Sequence, residues 1–365
     1  MNKKLHICFF NSCKVWGGGE KWHFDVASNL DRETFYPVLF SNPQSELLIK
    51  AQQHNIITFA FKVHNLSFLN PFKINRLTKI FKKNNFDAII INLPSDLKLA
   101  GLAAKKAGIK RIIYRRGSAI PIKNNFLNRY LFKNIVTDII ANSEETKKTI
   151  LKHNAQLFNP QKIKVIYNGI DLTNFPRKDI VKNQYKQRCE IFIGNIGRLD
   201  KQKAQHFFID LSLQLHQLGI EHNIKIAGDG PLKEKLQQEI NKKGLARRIK
   251  LIGFIDDIPG FLKEIDVFVL TSKWEGFGYV IAEAMAAYKP AIAFDLSSNP
   301  ELIDQGKTGF LIQPFQIEEL AKSIQRLIVD EELYEKLAKN SREKAENQFT
   351  KQKMIKNISE FLQPV

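Results

Sequence analysis

Arg198 and Lys203 stand five residues apart in the run GNIGRLDKQKA (194–204), which reads as a strand followed by a strand-to-helix turn. On such a turn both cations can reach one ligand at the strand end, Arg as a planar fork and Lys as a point charge, a pairing suited to a diphosphate. Two solvated surface charges would look the same, so this run decides nothing alone. Further on, VFVLTSKWEGFGYVIAEAMAAYKPAIAFD (267–295) reads as strand, loop, helix and strand, with Glu275 in the loop and Glu283 eight positions later on the helix. Glu275 and the amides of Gly276, Phe277 and Gly278 would offer one acceptor and several donors to a polar ligand at the strand's carboxyl end. A carboxylate accepts two hydrogen bonds from a vicinal diol, so sugar hydroxyls suit both acids. Glu283, set in an apolar stretch, needs a partner if buried. Ser297, Ser298 and Asn299 in DLSSNPEL (295–302) stand at a helix start, a place suited to an anion. Near the beginning, Gly17 and Gly18 in WGGGEKW (16–22) form a glycine-rich turn that lets backbone approach a ligand closely. It is neither a Walker A loop nor a full G-x-G-x-x-G fingerprint.

Elements must hold these residues in place. A chain of 365 residues exceeds what one core usually organises, so two domains are expected. Strand-like runs at 5–11, 36–42, 57–63, 88–94, 111–116, 138–143 and 163–169 alternate with helical stretches, the pattern of a parallel sheet covered on both faces. The polar segment PRKDIVKNQYKQR (176–188) interrupts it, and the alternation restarts at 191–197, 224–230, 249–254, 267–272, 291–295 and 309–312. The expected class is therefore α/β, two doubly wound Rossmann-like domains facing each other across a cleft. The first spans 1–178, the second 179–348, and a helix within 349–365 closes the chain, crossing back to the first domain. Open parallel sheets bind ligands at the carboxyl ends of their strands, which places the site there.

The net charge of +19 is unevenly shared: residues 1–180 carry 29 basic and 12 acidic side chains, residues 181–365 carry 27 and 25. A basic half-molecule suits a polyanionic partner such as nucleic acid, an anionic membrane surface or an acidic substrate. The segment KINRLTKIFKK (73–83) sets apolar residues at helical spacing among lysines and arginines; this face either covers the sheet or lies on a bilayer. The longest stretch free of charged residues, Thr34 to Ser45, is 12 residues, short of the ~18–20 that a membrane-spanning helix needs. Nor does the amino terminus read as a signal peptide, so a cytoplasmic protein is expected, peripheral on the inner face of the cytoplasmic membrane. Cys8, Cys13 and Cys189 form no Cys-x-x-Cys pair and suggest neither a disulfide framework nor a zinc site. No Asp-x-Asp occurs anywhere, so a site without a divalent metal or other cofactor is expected.

Taken in order, the motifs Gly-Gly-x-Glu (17–20), ANSE (141–144), VIYNGID (165–171), GRLDKQKA (197–204), AGDGP (227–231), GFIDDIPGFLKEIDVFVLTS (253–272), Glu-x7-Glu (275–283) and NPELI (299–303) resemble those of glycosyltransferase family 4 over nearly the whole chain. The resemblance implies the GT-B architecture, transfer with retention of anomeric configuration, a nucleotide-sugar donor (a UDP-sugar favoured) on the second domain, and a saccharide or glycolipid acceptor on the first, as in bacterial lipopolysaccharide or envelope-polysaccharide synthesis. It implies that Arg198 and Lys203 are the diphosphate-binding pair, Glu275 the donor-sugar carboxylate, Glu283 the ribose carboxylate, and Gly17 and Gly18 the loop that approaches the donor. Three positions depart from the family pattern. YRRGSA (114–119) stands where many relatives have a His, leaving Arg115 and Arg116 without an assigned role; Ala204 replaces a frequent Gly, and Ser297-Ser298 a frequent Gly-Gly. Two rival readings stay open: a GT-B nucleotide-sugar epimerase, which lacks the Gly-Arg-Leu and Glu-x7-Glu runs, and a basic nucleic-acid-binding protein, for which no recognition module is present.

Overall fold

The computed structural model describes residues 4–177 and 188–363, so the predicted boundary at 178/179 lies outside the described residues. The chain divides into two compact units, residues 1–168 with 351–365, and residues 169–350.

In unit 1, β1 (Leu5–Asn11), β2 (Phe35–Ser41), β3 (Ile57–Ala60), β4 (Ala88–Ile91), β5 (Arg111–Arg116), β6 (Asp138–Ala141) and β7 (Ile163–Val165) form one parallel sheet in the order β3-β2-β1-β4-β5-β6-β7. The runs are β-branched and apolar because both faces are covered. Alternate side chains therefore enter different cores: Cys8, Phe10, Ile89 and Ile91 pack with Leu77, Phe81 and Leu131, whereas Ile7, Phe9, Ala88 and Ile90 pack with Trp22 and Val26. The first core lies under α3 (Pro71–Asn84), α4 (Leu102–Ala107), α5 (Phe126–Asn134) and α6 (Glu144–Leu151); the second lies under α1 (Gly18–Asn29) and α2 (Glu46–Gln53). Each crossover begins just past a strand's carboxyl end. The β4 run stops at Ile91, short of the predicted 94, because Pro94 opens a helical turn that continues as a π turn over Leu97–Gly101.

The basic segment 73–83 is resolved by α3. Asn70 caps it by accepting hydrogen bonds from the Phe72 and Lys73 amides, Pro71 supplies its first turn, and Leu77 and Phe81 are buried in the first core. Its apolar face covers the sheet.

The helix Lys351–Leu362 also belongs to unit 1. Met354, Ile358 and Leu362 enter the second core beside Ile7, Phe9 and Trp22, and Arg111 both donates to the Leu362 carbonyl at 3.1 Å and lies over the Phe361 ring. Ile358 is fully buried there. Ile358→Val removes one methylene from a closed core and should lower stability by about 1 kcal/mol in urea unfolding of the full chain; no loss would mean that the helix is not docked.

Unit 2 holds β8 (Ile191–Ile196), β9 (His222–Ala227), β10 (Ile249–Gly253), β11 (Val267–Leu270), β12 (Ala291–Phe294) and β13 (Gly309–Ile312), all parallel, in the order β10-β9-β8-β11-β12-β13. Its helices are α7 (Phe207–Gln217), α8 (Lys233–Lys242), α9 (Ile258–Glu264), α10 (Tyr279–Ala286), α11 (Asn299–Leu302), α12 (Ile317–Val329) and α13 (Glu331–Gln348). Both sheets are doubly wound, and the thirteen strands among the described residues fall on the thirteen predicted runs.

Candidate active site

The predicted residues of unit 2 collect where β8, β11 and β12 end. The turn after β8 carries Arg198 and Lys203. It is held from below: the Thr271 hydroxyl donates to the carbonyls of Lys203 (3.0 Å) and Ala204 (3.3 Å), and Gln205 Nε2 donates to the Arg198 carbonyl at 3.1 Å. Two further bonds join this turn to the loop after β11, Gln202 Nε2 to the Trp274 carbonyl and the Lys273 amide to the Gln202 carbonyl, both at 2.8 Å. The result is one direct ionic contact: Lys203 Nζ lies 2.6 Å from Glu275 Oε1, with both side chains largely buried. Arg198 is on the same turn but two-thirds exposed, its Nε 3.2 Å from Asp200.

The loop after β12 closes on Glu275 from the other side. Ser297 Oγ donates to the Glu275 carbonyl at 2.7 Å and Ser298 Oγ at 3.2 Å, so these hydroxyls fix the carboxylate's backbone. Asn299 is buried and donates through Nδ2 to the Phe294 carbonyl. Gly276 and Phe277 lead to Gly278, which adopts φ +91° as the N-cap of α10, and Glu283 sits buried in the second turn of that helix. Opposite the Arg198 turn, Gly228 has φ +140°, and a Cβ there would lie 2.0 Å from the Gly197 carbonyl oxygen; the two turns pack backbone to backbone. A cavity of about 390 Å³ also opens in unit 2, lined by Leu199, Lys201, Gln205, His206, Leu232 and Lys273 among others, and by none of the predicted site residues.

Unit 1 has its own polar edge. Gly17 caps α1 and Gly18 opens it. Behind them, Asn11 Nδ2 donates to the buried Glu20 carboxylate at 2.9 Å, and Ser12 donates through its amide (2.8 Å) and hydroxyl (2.5 Å) to Asp96. Asp96 is fully buried; burial pushes its carboxyl up to about 7, the Ser12 bonds pull it back, and the Glu20 charge adds to the rise. Arg115 is 3% exposed, donates to the side-chain oxygens of Asn92 (3.1 Å) and Asn168 (3.0 Å), and lies over the Trp22 ring at 5.1 Å. Burial, and then the Arg115 charge, hold His23 down at about 3, so it is neutral and its Nδ1 donates to the Gly19 carbonyl.

Residues 176–344 match the family model described as Glycosyl transferases group 1, and residues 16–174 match that described as Glycosyltransferase Family 4. An uncharacterized glycosyltransferase of Methanocaldococcus jannaschii is 30% identical over 77% of this chain and 76% of its own length. This chain belongs to glycosyltransferase family 4. It is a glycosyltransferase of the GT-B kind. A second family relative, the UDP-Gal:alpha-D-GlcNAc-diphosphoundecaprenol alpha-1,3-galactosyltransferase of Escherichia coli, is 28% identical over 81% of this chain and 80% of its own. Among solved structures, the Anabaena protein HepE in complex with UDP and glucose superposes with a TM-score of 0.83 at 25% identity, covering 98% of this chain and 99% of that one.

Two of the three departures from the family 4 pattern have a backbone explanation. Ala204 has φ +50° and Ser297 φ +56°, the left-handed region where Gly costs least. At both positions the chain keeps a glycine-like backbone with a larger residue. At 297 that residue also supplies the hydroxyl that ties down Glu275. Ser12, Asp96 and the framing of Arg115 were not predicted, and Glu20 entered only as the last residue of the Gly-Gly-x-Glu motif, without a role. Reading the polar residue at or after each strand end of unit 1 would have found Asn92 and Asn168, the partners of Arg115, and Asn11 beside Ser12, but not Asp96, five residues past β4.

Among the described residues, no helix is long and apolar enough to cross a membrane.

Proposed function

We propose that this glycosyltransferase moves a hexosyl residue from a UDP-sugar to a saccharide or lipid-linked saccharide in bacterial cell-envelope glycan assembly, of lipopolysaccharide type, with retention and without a metal ion. The observation that carries the reading is the 2.6 Å contact between Lys203 and Glu275 at the carboxyl edge of the second sheet. An ammonium has three donors, so Lys203 can keep Glu275 and still meet a diphosphate oxygen. Arg198, on the same turn and largely exposed, is available to the second phosphate. Glu275 and the amides of Gly276, Phe277 and Gly278 take the sugar hydroxyls, and Glu283 takes the ribose diol.

Chemically, an acceptor hydroxyl attacks the anomeric carbon from the face that the nucleotide leaves. The new C–O bond forms as the sugar–phosphate bond breaks, the electron pair goes to the diphosphate, and the hydroxyl proton follows it. Lys203 and Arg198 neutralise the charge that develops there, the task a divalent ion performs elsewhere. UDP in HepE and the UDP-galactose and diphosphoundecaprenol in the name of the E. coli relative support the donor and acceptor classes. On this reading unit 1 binds the acceptor, and the protein works on the cytoplasmic face of the membrane.

UDP at a hundredfold excess over its dissociation constant should stabilise the folded chain by about 2.7 kcal/mol, read as a thermal shift that GDP, ADP and CMP do not match. EDTA should leave both the shift and the turnover unchanged; loss of either would refute the metal-free mechanism. Sugar appearing on an added acceptor, rather than an isomerised donor without one, separates transfer from epimerisation.

A further inference from the structure

The positive charge of unit 1 is concentrated on one of its faces. Residues 61–86 hold six Lys or Arg and no acid, and residues 97–137 hold ten and no acid. Of the two acids between these segments, Asp96 is buried and Asp87 accepts the His6 amide at 2.8 Å. Both segments run through the face covered by α3, α4 and α5, except that Arg111 and Arg115 turn to the opposite face, against Phe361 and Trp22, which leaves eight basic side chains from the second segment on this side. These helices are tied side by side, Lys106 Nζ to Asn75 Oδ1 at 2.7 Å and Lys105 Nζ to the Asn134 carbonyl at 2.6 Å.

At the carboxyl edge of that face the structure exposes what it would ordinarily bury. Leu66 is 70% exposed, Leu69 66%, Phe72 83% and Phe126 77%. Leu66 and Leu69 lie on the short turn that enters α3, Phe72 is the second residue of α3, and Phe126 is the first residue of α5. The π turn Leu97–Gly101 stands between the two corners, with Lys98 Nζ 5.5 Å from the Phe68 ring. Lys62 and Lys73 flank the first corner, Lys123 and Arg129 the second. The apolar face of α3 is spent on the core, so this rim is a separate feature from the amphipathic helix that the sequence suggested.

We propose that this rim is the membrane contact of the protein: Leu66, Leu69, Phe72 and Phe126 enter the interfacial layer of an anionic bilayer while the lysines and arginines around them meet lipid phosphates. The proposal rests on the lipid-linked acceptor reading and adds where the bilayer sits. Charge complementarity selects an anionic partner, and the aliphatic Leu66 and Leu69 select a bilayer over nucleic acid, whose bases stack on aromatic or guanidinium planes. Helix starts at both corners add positive potential at the same edge.

The test uses the full chain with phosphatidylcholine vesicles, with and without phosphatidylglycerol. Cosedimentation should be at least about tenfold stronger with the anionic lipid and fall with added salt. The triple variant Leu66→Ser, Leu69→Ser, Phe72→Ser should bind those vesicles about tenfold less or weaker, with an unchanged melting temperature and UDP shift. Its turnover on a water-soluble acceptor should equal that of the wild type, while transfer to a lipid acceptor in vesicles drops. Equal vesicle binding by the triple variant, no preference for anionic lipid, or tighter binding to duplex RNA than to anionic vesicles would each overturn the proposal. Absence of a UDP shift in the wild type would instead strike the donor reading and leave the vesicle result standing.

Discussion

Lys203→Ala should lower the turnover of sugar transfer by about 10²–10³, on the order of 3–4 kcal/mol of transition-state stabilisation, measured as product formed per enzyme at saturating donor. The size follows from where the ammonium stands. It is largely buried, fixed through the turn by Thr271 and Gln205, and so pays little reorganisation when charge appears on the leaving diphosphate. Removing it also leaves Glu275 buried without its cation, so part of the loss should appear as weaker binding of the donor sugar. For that reason Lys203→Ala and Glu275→Gln should not be additive: the double variant is expected to be only slightly slower than the worse single one, because the pair acts as a unit. A folded Lys203→Ala protein with wild-type turnover would contradict the assignment.

The second large effect is on stability and comes from Asp96. Burial raises its carboxyl to about 7 in the folded chain, against about 3.9 in an unfolded one. Between these values the native state holds a proton that the unfolded state has released, so stability falls as pH rises, by up to about 1.4 kcal/mol per pH unit. The contribution is complete below about pH 4 and gone above about 7, a total near 4 kcal/mol. Asp96→Asn removes the titration, so its stability relative to the wild type should climb across that interval and level off above it. Urea unfolding of both proteins from about pH 4 to about pH 8 checks this; a constant gap would show that the carboxyl is ionised throughout.

How far these features could be read beforehand differs between the units. In unit 2 the strand-to-turn positions of Arg198, Lys203 and Glu275 were legible, because apolar runs ending in Gly, Asp and Glu announce both the sheet and its carboxyl edge. Their pairing was not: the Lys203–Glu275 contact joins residues 72 apart and depends on Gln202, Lys273 and Trp274, ordinary polar and aromatic residues that spacing cannot connect. Ser297 and Ser298 were expected to face an anion, whereas their hydroxyls hold the Glu275 backbone. In unit 1 the strands were again clear, and Gly17 and Gly18 stand at the expected strand-to-helix turn. Asp96 was missed because it ends a helical turn that begins at Pro94, the last residue of what read as a strand, and no periodic pattern ties it to Ser12, 84 residues away. The periodicity of 73–83 identified a helix correctly, yet it could not say that Leu77 and Phe81 would be claimed by the core, nor that the exposed apolar residues would be Leu66, Leu69 and Phe72 just ahead of it.

The docking of Lys351–Leu362 onto the first sheet has a bearing on biosynthesis. As the polypeptide leaves the ribosome, every residue of the second unit emerges before Met354, Ile358 and Leu362 do, so the later-encoded unit is the first to have all its parts. The earlier-encoded one must wait, with Ile7, Phe9 and Trp22 lacking their last neighbours, until translation has passed the whole of its companion.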